Sequence, residues 1–399
     1  MSTAPSPLRA SEATRSPAEV VDPATGAAQD PPDASAPLPW RRIVRWSLVG
    51  TMVLLALVLV DVNRYGGNNT VSLIQPGTGG PATQVVAADF PELEQPDGMG
   101  LDGQLYYAMA RDPFHLDETA TQLDAPRYRL QRPLLSWLAW GMHPSGGGTG
   151  LVTALFLVGL LAAFGGAVAT GALSAHLRGP VWLAALFPLL PGTYWSLRVT
   201  VSDALALGLA LGALACAARH RQAPALALGL LAVLAKEPVI LLFAGWALHR
   251  RNRRDLLLLL VPGLVAAGWM GWLSVQFPSD PTKSSDLGLP LVGLVDGWRA
   301  QWSRGHELVG LACTAGAYAI GTAALVVRRL RHPLGWAIAI QLTFLSIMGL
   351  NPVTMNFGGT RMAMPIMVLG AIALLTPRAG QALSPAVEPS HHPTPSGSV

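Results

Sequence analysis

The feature that most restricts this chain is a series of apolar stretches about as long as a bilayer is thick, bracketed by arginines. The first covers residues 43–62 and has the length, about 20 residues, that a hydrocarbon core requires. Arg41, Arg42 and Arg45 gather at its start, and the excess of positive charge on the inner side of membranes places that end in the cytoplasm. The apolar core begins too late for a signal peptide and no small-residue cleavage site follows it, so the segment reads as a retained anchor. Composition agrees: 51% of the 399 residues are hydrophobic and 13% are charged, against about 25% charged in a soluble domain. Mean hydropathy is +0.40.

An isoelectric point near 9.4 would suit a nucleic-acid partner. Arginines that bracket apolar runs are instead topology signals, so no nucleic acid is expected. Lys236 and Lys283 are the only lysines, and Cys216 and Cys313 both lie in apolar runs, where neither a disulfide nor a metal site is expected. Residues 1–39 and 377–399 are rich in Pro, Ala, Ser and Thr without an apolar period and read as disordered cytoplasmic tails. Residues 40–376 form the transmembrane domain, with a large first external loop over 63–148 carrying interfacial helices.

After that loop, apolar segments are expected at 149–173, 180–195 and 200–218, ending at Arg219 and Arg221 on the inner side. The stretch 223–248 decides the rest. As one helix it would hold Lys236 and Glu237 at mid-bilayer, at about 2.5–3.5 kcal/mol for each centred charge. It would also send Arg250, Arg251, Arg253 and Arg254 outward. A turn at Lys236-Glu237-Pro238 removes both problems and makes a short helical hairpin, with Pro238 in the first turn of its second arm. Each arm is too short to span, so the tip belongs in a thinned bilayer or a protein-lined cavity. The path then predicts an all-α polytopic membrane protein with about ten segments and both termini inside.

That topology rests on arginine bias alone, yet it collects the unusual polar residues on the outer side. They are Asp102, Asp112, Arg127, Arg129, Arg132, Arg198, Asp203, Lys236, Glu237, Lys283, Asp286, Arg304, His306, Glu307, Asn351, Asn356 and Arg361. Charges at membrane depth are paired or functional. Asp102 precedes Gly103, and Asp-Gly is a turn pair; its chemical reading is that of an acid beside Gln104, Tyr106 and Tyr107. Arg127, Arg129 and Arg132 either anchor an interfacial helix or bind phosphate, for which a guanidinium has the matching fork. Ser202-Asp203 reads as a helix N-cap and Arg198 as a snorkelling anchor, or both line a cavity. Lys236 and Glu237 either neutralise one another or serve the site, and Arg361 either binds phosphate or caps a loop. Trp137, Trp140, Trp195 and Trp302 read as an interface belt.

The chain has no phosphate-binding G-x-x-x-x-G-K-[ST] loop, no H-E-x-x-H and no G-x-S-x-G elbow. Without a nucleotide-binding domain, any activated substrate is expected to arrive attached to lipid.

Asp102-Gly103-Gln104-Leu105-Tyr106-Tyr107, Asp112-Pro113-Phe114 and Tyr128-Arg129-Leu130-Gln131-Arg132 occur in this order on the expected external loop. With the Lys236-Glu237-Pro238 tip, they resemble the GT-C class of membrane glycosyltransferases, and more closely a group of bacterial membrane proteins with an Asp-Gly-Gln-aromatic-Tyr stretch. The resemblance spans about 40–376. It implies a GT-C-like bundle that takes a sugar from a polyprenyl phosphate at the outer face of the cytoplasmic membrane and inverts its anomeric centre. The acceptor would be a glycan, lipid or protein. Asp102 would be the general base, and Arg132, Lys236 or Arg361 would stabilise the departing phosphate. Many relatives of that class carry an acidic pair in this loop, whereas Asp102 here is followed by Gly103 and Gln104. One carboxylate holds Mg²⁺ or Mn²⁺ poorly, so metal-independent transfer without a cofactor is expected. A transporter or lipid flippase is the main rival, since it too places charges between broken helices. The chain has no convincing internal repeat, which favours the enzyme. A non-catalytic scaffold is the third reading.

Overall fold

Residue 37 begins the part of the chain that the computed structural model describes, which comprises 37–144, 146–278, 287–300, 308–349, 352–353 and 355–377. Residues 1–36 and 378–399 of the expected tails lie outside these, as do Lys283, Asp286, Trp302, Arg304, His306, Glu307 and Asn351, and the side chain of Asn356. Every regular element among the described residues is a helix, apart from one isolated bridge between Leu287 and Met348.

The first apolar run folds as α1 (Trp40–Tyr65). One stripe, including Ile43, Leu54 and Val58, is buried, while Leu48, Val49, Met52, Leu57 and Val60 stay exposed. An exposed face this apolar is the surface of a helix that meets lipid. The loop that follows carries short helices, among them α2 (Gly103–Arg111), α3 (Pro126–Leu130) and α4 (Leu134–Met142). Next comes α5 (Thr149–His176), 28 residues long.

The expected segment at 180–195 is not one helix. It is a 3-10 turn at Val181–Ala185, a helical turn at Leu186–Leu189, and α6 (Pro191–Arg198). Pro188 and Pro191 cause the breaks: Leu190, before Pro191, is extended at ψ 135°, as a residue preceding proline prefers. The stretch still runs alongside the second half of α1, since Ala185 lies against Gly50 and Arg198 pairs with Asp61.

Helix α7 (Asp203–Ala218) runs parallel to α5, with Gly208 against Gly166 and Gly212 near Ala169. Then α8 (Gln222–Ala235) leads to the break at Lys236, and α9 (Ile240–Arg250) leads away from it. Glu237 precedes a proline, and Lys236 is extended at φ −163° and ψ 116°. The two helices form the expected hairpin. Phe243 of α9 reaches Gly229 of α8, and the start of α8 lies beside the residues after α9, where Gln222 Nε2 donates to Arg254 O at 2.8 Å. Helix α10 (Arg253–Gln276) then runs parallel to α8. Three more helices complete the bundle: α11 (Leu308–Arg328), α12 (Gly335–Ser346) and α13 (Asn356–Leu375). Helices α11 and α13 are parallel neighbours, with Gly310 beside Gly359 and Arg328 donating to Leu374 O at 2.8 Å.

Five of these helices, α1, α5, α10, α11 and α13, are long and apolar enough to cross a membrane. Among the described residues the expected count of about ten is thus not confirmed. Helices α7, α8 and α12 are apolar but span only 10–17 residues each, and 181–198 is broken. Between apolar helices in lipid, water exclusion contributes little, and close van der Waals approach at small residues holds the bundle. Gly208 meets the backbone of Gly166, and Gly245 meets that of Ala337, in each case too closely for a Cβ to fit undisturbed.

The bundle has two unlike ends. Arg219, Arg221 and Arg250 to Arg254 collect at one, called here the arginine end. The starts of α2 and α7, the hairpin tip and the first turns of α13 collect at the other, the loop end.

Candidate functional site

The site assembles at the loop end from pieces that each helix terminates there for its own reason. Asp102 begins α2, but its side chain makes no capping bond. Gly103 beside it is required by close approach: a Cβ would lie 2.3 Å from Val199 O and 2.8 Å from Ile74 O. Packing thus requires the glycine, and Asp102 lies in the turn before α2 with its carboxylate left out of capping. Pro126 opens α3, pre-set for a first helical position. This short helix carries Tyr128 and Arg129 toward the bundle, with Arg127 half-buried on it and Arg132 just beyond.

Arg129 reaches Asp124 through two parallel bonds, Nε to Oδ1 at 2.8 Å and Nη2 to Oδ2 at 3.0 Å, and Asp102 Oδ1 through Nη1 at 3.0 Å. Arg361 stands between two acids. Its Nη1 is 2.8 Å from Asp203 Oδ2 and its Nη2 is 3.8 Å from Asp102 Oδ2. Lys236 Nζ donates to the other oxygen of Asp203. Arg132 grips Glu237 with Nε to Oε2 at 2.9 Å and Nη2 to Oε1 at 2.6 Å, and Gln131 adds a bond at 3.1 Å. Asp124, Arg129, Asp102, Arg361, Asp203 and Lys236 thus alternate along one series of ion pairs, and Arg132–Glu237 forms a separate pair.

Aromatic rings seat the guanidinium groups. Arg132 lies 4.4 Å from the Tyr128 ring centroid and Arg361 3.4 Å from that of Phe357. Arg361 also donates Nε to Phe357 O at 2.8 Å, one helical turn back. It belongs to α13 itself, not to a loop before that helix as the sequence suggests. Burial lowers the pKa of Arg129 and Arg132, but bonds to Asp124 and to Glu237 more than offset this and leave both above the ordinary value. Burial pushes the Tyr106 hydroxyl up to about 12, so it stays neutral as the partner of Ser202 Oγ at 2.7 Å.

Among the described residues, no group of three or more His, Cys, Asp or Glu side chains gathers as a metal site would require. No family model, curated protein or solved structure matches the chain. What the site can do therefore rests on its own geometry.

The arrangement joins Asp102, Arg129, Arg132, Asp203, Lys236, Glu237 and Arg361, residues that the sequence marks as candidates. It separates three others. Arg198 is buried and pairs with Asp61 and with Ser72 O at 2.7 Å, tying α6 to α1. It is a structural clasp, neither a snorkelling anchor nor part of a cavity wall. Tyr107 donates to Asp89 at 2.7 Å and accepts from Gly148 N at 2.6 Å, fixing the loop to the start of α5. Gln104 is buried and donates to Met99 O at 2.7 Å within the glycine-rich loop. Ser202 starts α7 without capping it, since its hydroxyl is turned to Tyr106. Lys236 and Glu237 do not neutralise one another but take Asp203 and Arg132 as partners. Two participants escape the sequence reading, Asp124 and Phe357. Both are close in sequence to the arginines they hold, five residues before Arg129 and four before Arg361. That spacing was the signal available.

Proposed function

We propose that this protein is a membrane glycosyltransferase of GT-C type. It moves a sugar from a polyprenyl-phosphate donor to an acceptor at the outer face of the cytoplasmic membrane, with both termini in the cytoplasm. The observation that carries this reading is the position of Arg361 between Asp102 and Asp203, at the level of the hairpin tip. The catalytic acid of the loop and the cations of the bundle share one site.

Asp102 keeps 28% of its side chain exposed, against 7% for Asp203. Its contact with Arg361, at 3.8 Å, is too long for a hydrogen bond. Asp102 is accordingly the base: it takes the proton of the acceptor hydroxyl as that oxygen bonds to the anomeric carbon. The bond from that carbon to the phosphate oxygen breaks, and Arg361 and Lys236 receive the charge that develops there. Asp203 is the positioning residue that holds both cations together. Because the network is balanced, the donor phosphate replaces carboxylates as partner of the cations, and this loosens Asp102 from Arg129. Each carboxylate already has a cation, which favours transfer without a divalent metal.

A carrier or flippase is the second reading, and the broken helices at 181–198 and 236–239 favour it, since carriers build polar sites from such breaks. Asp102→Asn separates the two. The glycosyltransferase loses sugar transfer while its level in the membrane is unchanged. Undiminished transport of a lipid-linked substrate, with no glycan defect, would establish the carrier instead.

A further inference from the structure

We infer that the arginine end holds a second, separate site, a cavity of about 360 Å³ that binds the phosphate of an anionic ligand such as a lipid headgroup. The cavity lies where α7 ends and α8 and α10 begin, and is lined by Ala217, His220, Gln222, Asn252, Arg253, Arg254 and Asp255. Its size falls within the range of small-molecule sites.

The polar groups of the cavity are sorted by charge. Asp255 is buried and turned inward. It accepts from Trp246 Nε1 at 2.7 Å and from Asn252 Nδ2, and lies 3.6 Å from Arg250 Nε. The acid is thereby already satisfied. Arg253 and Arg254 are exposed, and among the described residues neither side chain has an acid or hydrogen-bond acceptor. Gln222 is held in place by its bond to Arg254 O. The first bond of the helix runs from Leu256 N to Asn252 O at 3.1 Å, so the N–H groups of Arg253 and Arg254 precede it and add to the positive potential.

A lipid can reach this cavity without leaving its leaflet. Below Arg253 and Arg254, helix α10 exposes Leu256, Leu257, Leu260, Val261 and Leu264, and only 17% of its apolar window is buried. A headgroup phosphate seated in the cavity beside Arg253 or Arg254 would leave its acyl chains along that face. Basic pockets between membrane helices take anionic headgroups in this way. Free inorganic phosphate shares the chemistry but has no use for the apolar face.

The test uses the full chain in non-ionic detergent, titrated with phosphatidylglycerol, phosphatidylcholine and inorganic phosphate and read by native mass spectrometry. Phosphatidylglycerol is expected to bind about tenfold more tightly than phosphatidylcholine. R253Q/R254Q removes that preference, R253K/R254K keeps part of it, and R329Q/R331Q, exposed at the same end but outside the cavity, leaves it intact. Displacement of phosphatidylglycerol by inorganic phosphate, dependent on Arg253 and Arg254, supports the phosphate site and assigns it to the free ion. Equal retention of phosphatidylglycerol by R253Q/R254Q and wild type overturns the inference, as does an equal loss in R329Q/R331Q. Thermal midpoints of the variants show that each is folded.

Discussion

Asp203 and Asp102 touch the same guanidinium but stand in different surroundings, and this separates stability from chemistry. Asp203 keeps only 7% of its side chain exposed and holds both Lys236 and Arg361. Removing it leaves Lys236 without its acid and Arg361 with only the longer contact to Asp102, a loss of about 3–5 kcal/mol. Asp102 is more open, and Arg129 retains Asp124 without it, so its replacement by Asn costs about 0–1 kcal/mol. In thermal unfolding of the solubilised protein, D203A is expected to fall well below wild type and D102N to stay near it. Equal midpoints would contradict this division. Asp203, Lys236 and Glu237 were legible because a charge inside an apolar run is costly and must be used or paired, and Asp102, Arg129 and Arg132 because they recur in the motifs of the external loop. Their partners were not. Lys236 and Glu237 are adjacent in sequence and look like a pair, but neighbouring residues do not face each other. Each therefore meets a different acid or base from another part of the chain.

At the scale of elements, glycines mark where helices touch and where they face lipid. A Cβ on Gly245 would lie 2.3 Å from the Ala337 Cα, a backbone atom that cannot swing aside. G245A is expected to push α9 off α12 and destabilise by about 1–3 kcal/mol. Gly268 on α10 has no neighbour within 4 Å of such a Cβ. G268A is expected to be neutral or to stabilise by up to about 1 kcal/mol through helix propensity. Thermal midpoints of the two variants check the contrast, and a drop in G268A as large as that in G245A would refute the packing. The hairpin was readable from Lys236-Glu237-Pro238 because two independent penalties, buried charge and misplaced arginines, pointed to one turn. The three-piece path at 181–198 was not, although Pro188 and Pro191 were in view. Hydropathy over a window registers how apolar a stretch is, not whether its backbone can continue as one helix.

For the whole molecule, the alternation of apolar helices with arginine clusters was enough to suggest an all-helical membrane bundle, and two of its five long helices, α1 and α5, match the expected segments at 43–62 and 149–173 closely. Helices α7, α8 and α12 fall short of bilayer length, and the start of α7 and the end of α8 meet polar groups inside the bundle. This shortness helps to build the site: helices that stop early bring Asp203 and Lys236 to the level of Arg361 and of the loop that carries Asp102. The proposed function has Arg361 and Lys236 hold the phosphate of a lipid-linked sugar. Native mass spectrometry of the purified full chain tests it most directly. A co-purifying polyprenyl-phosphate sugar is expected on wild type and D102N and is expected to be lost in R361Q. Wild type without such a lipid, or an R361Q variant that retains it undiminished, would contradict the claim.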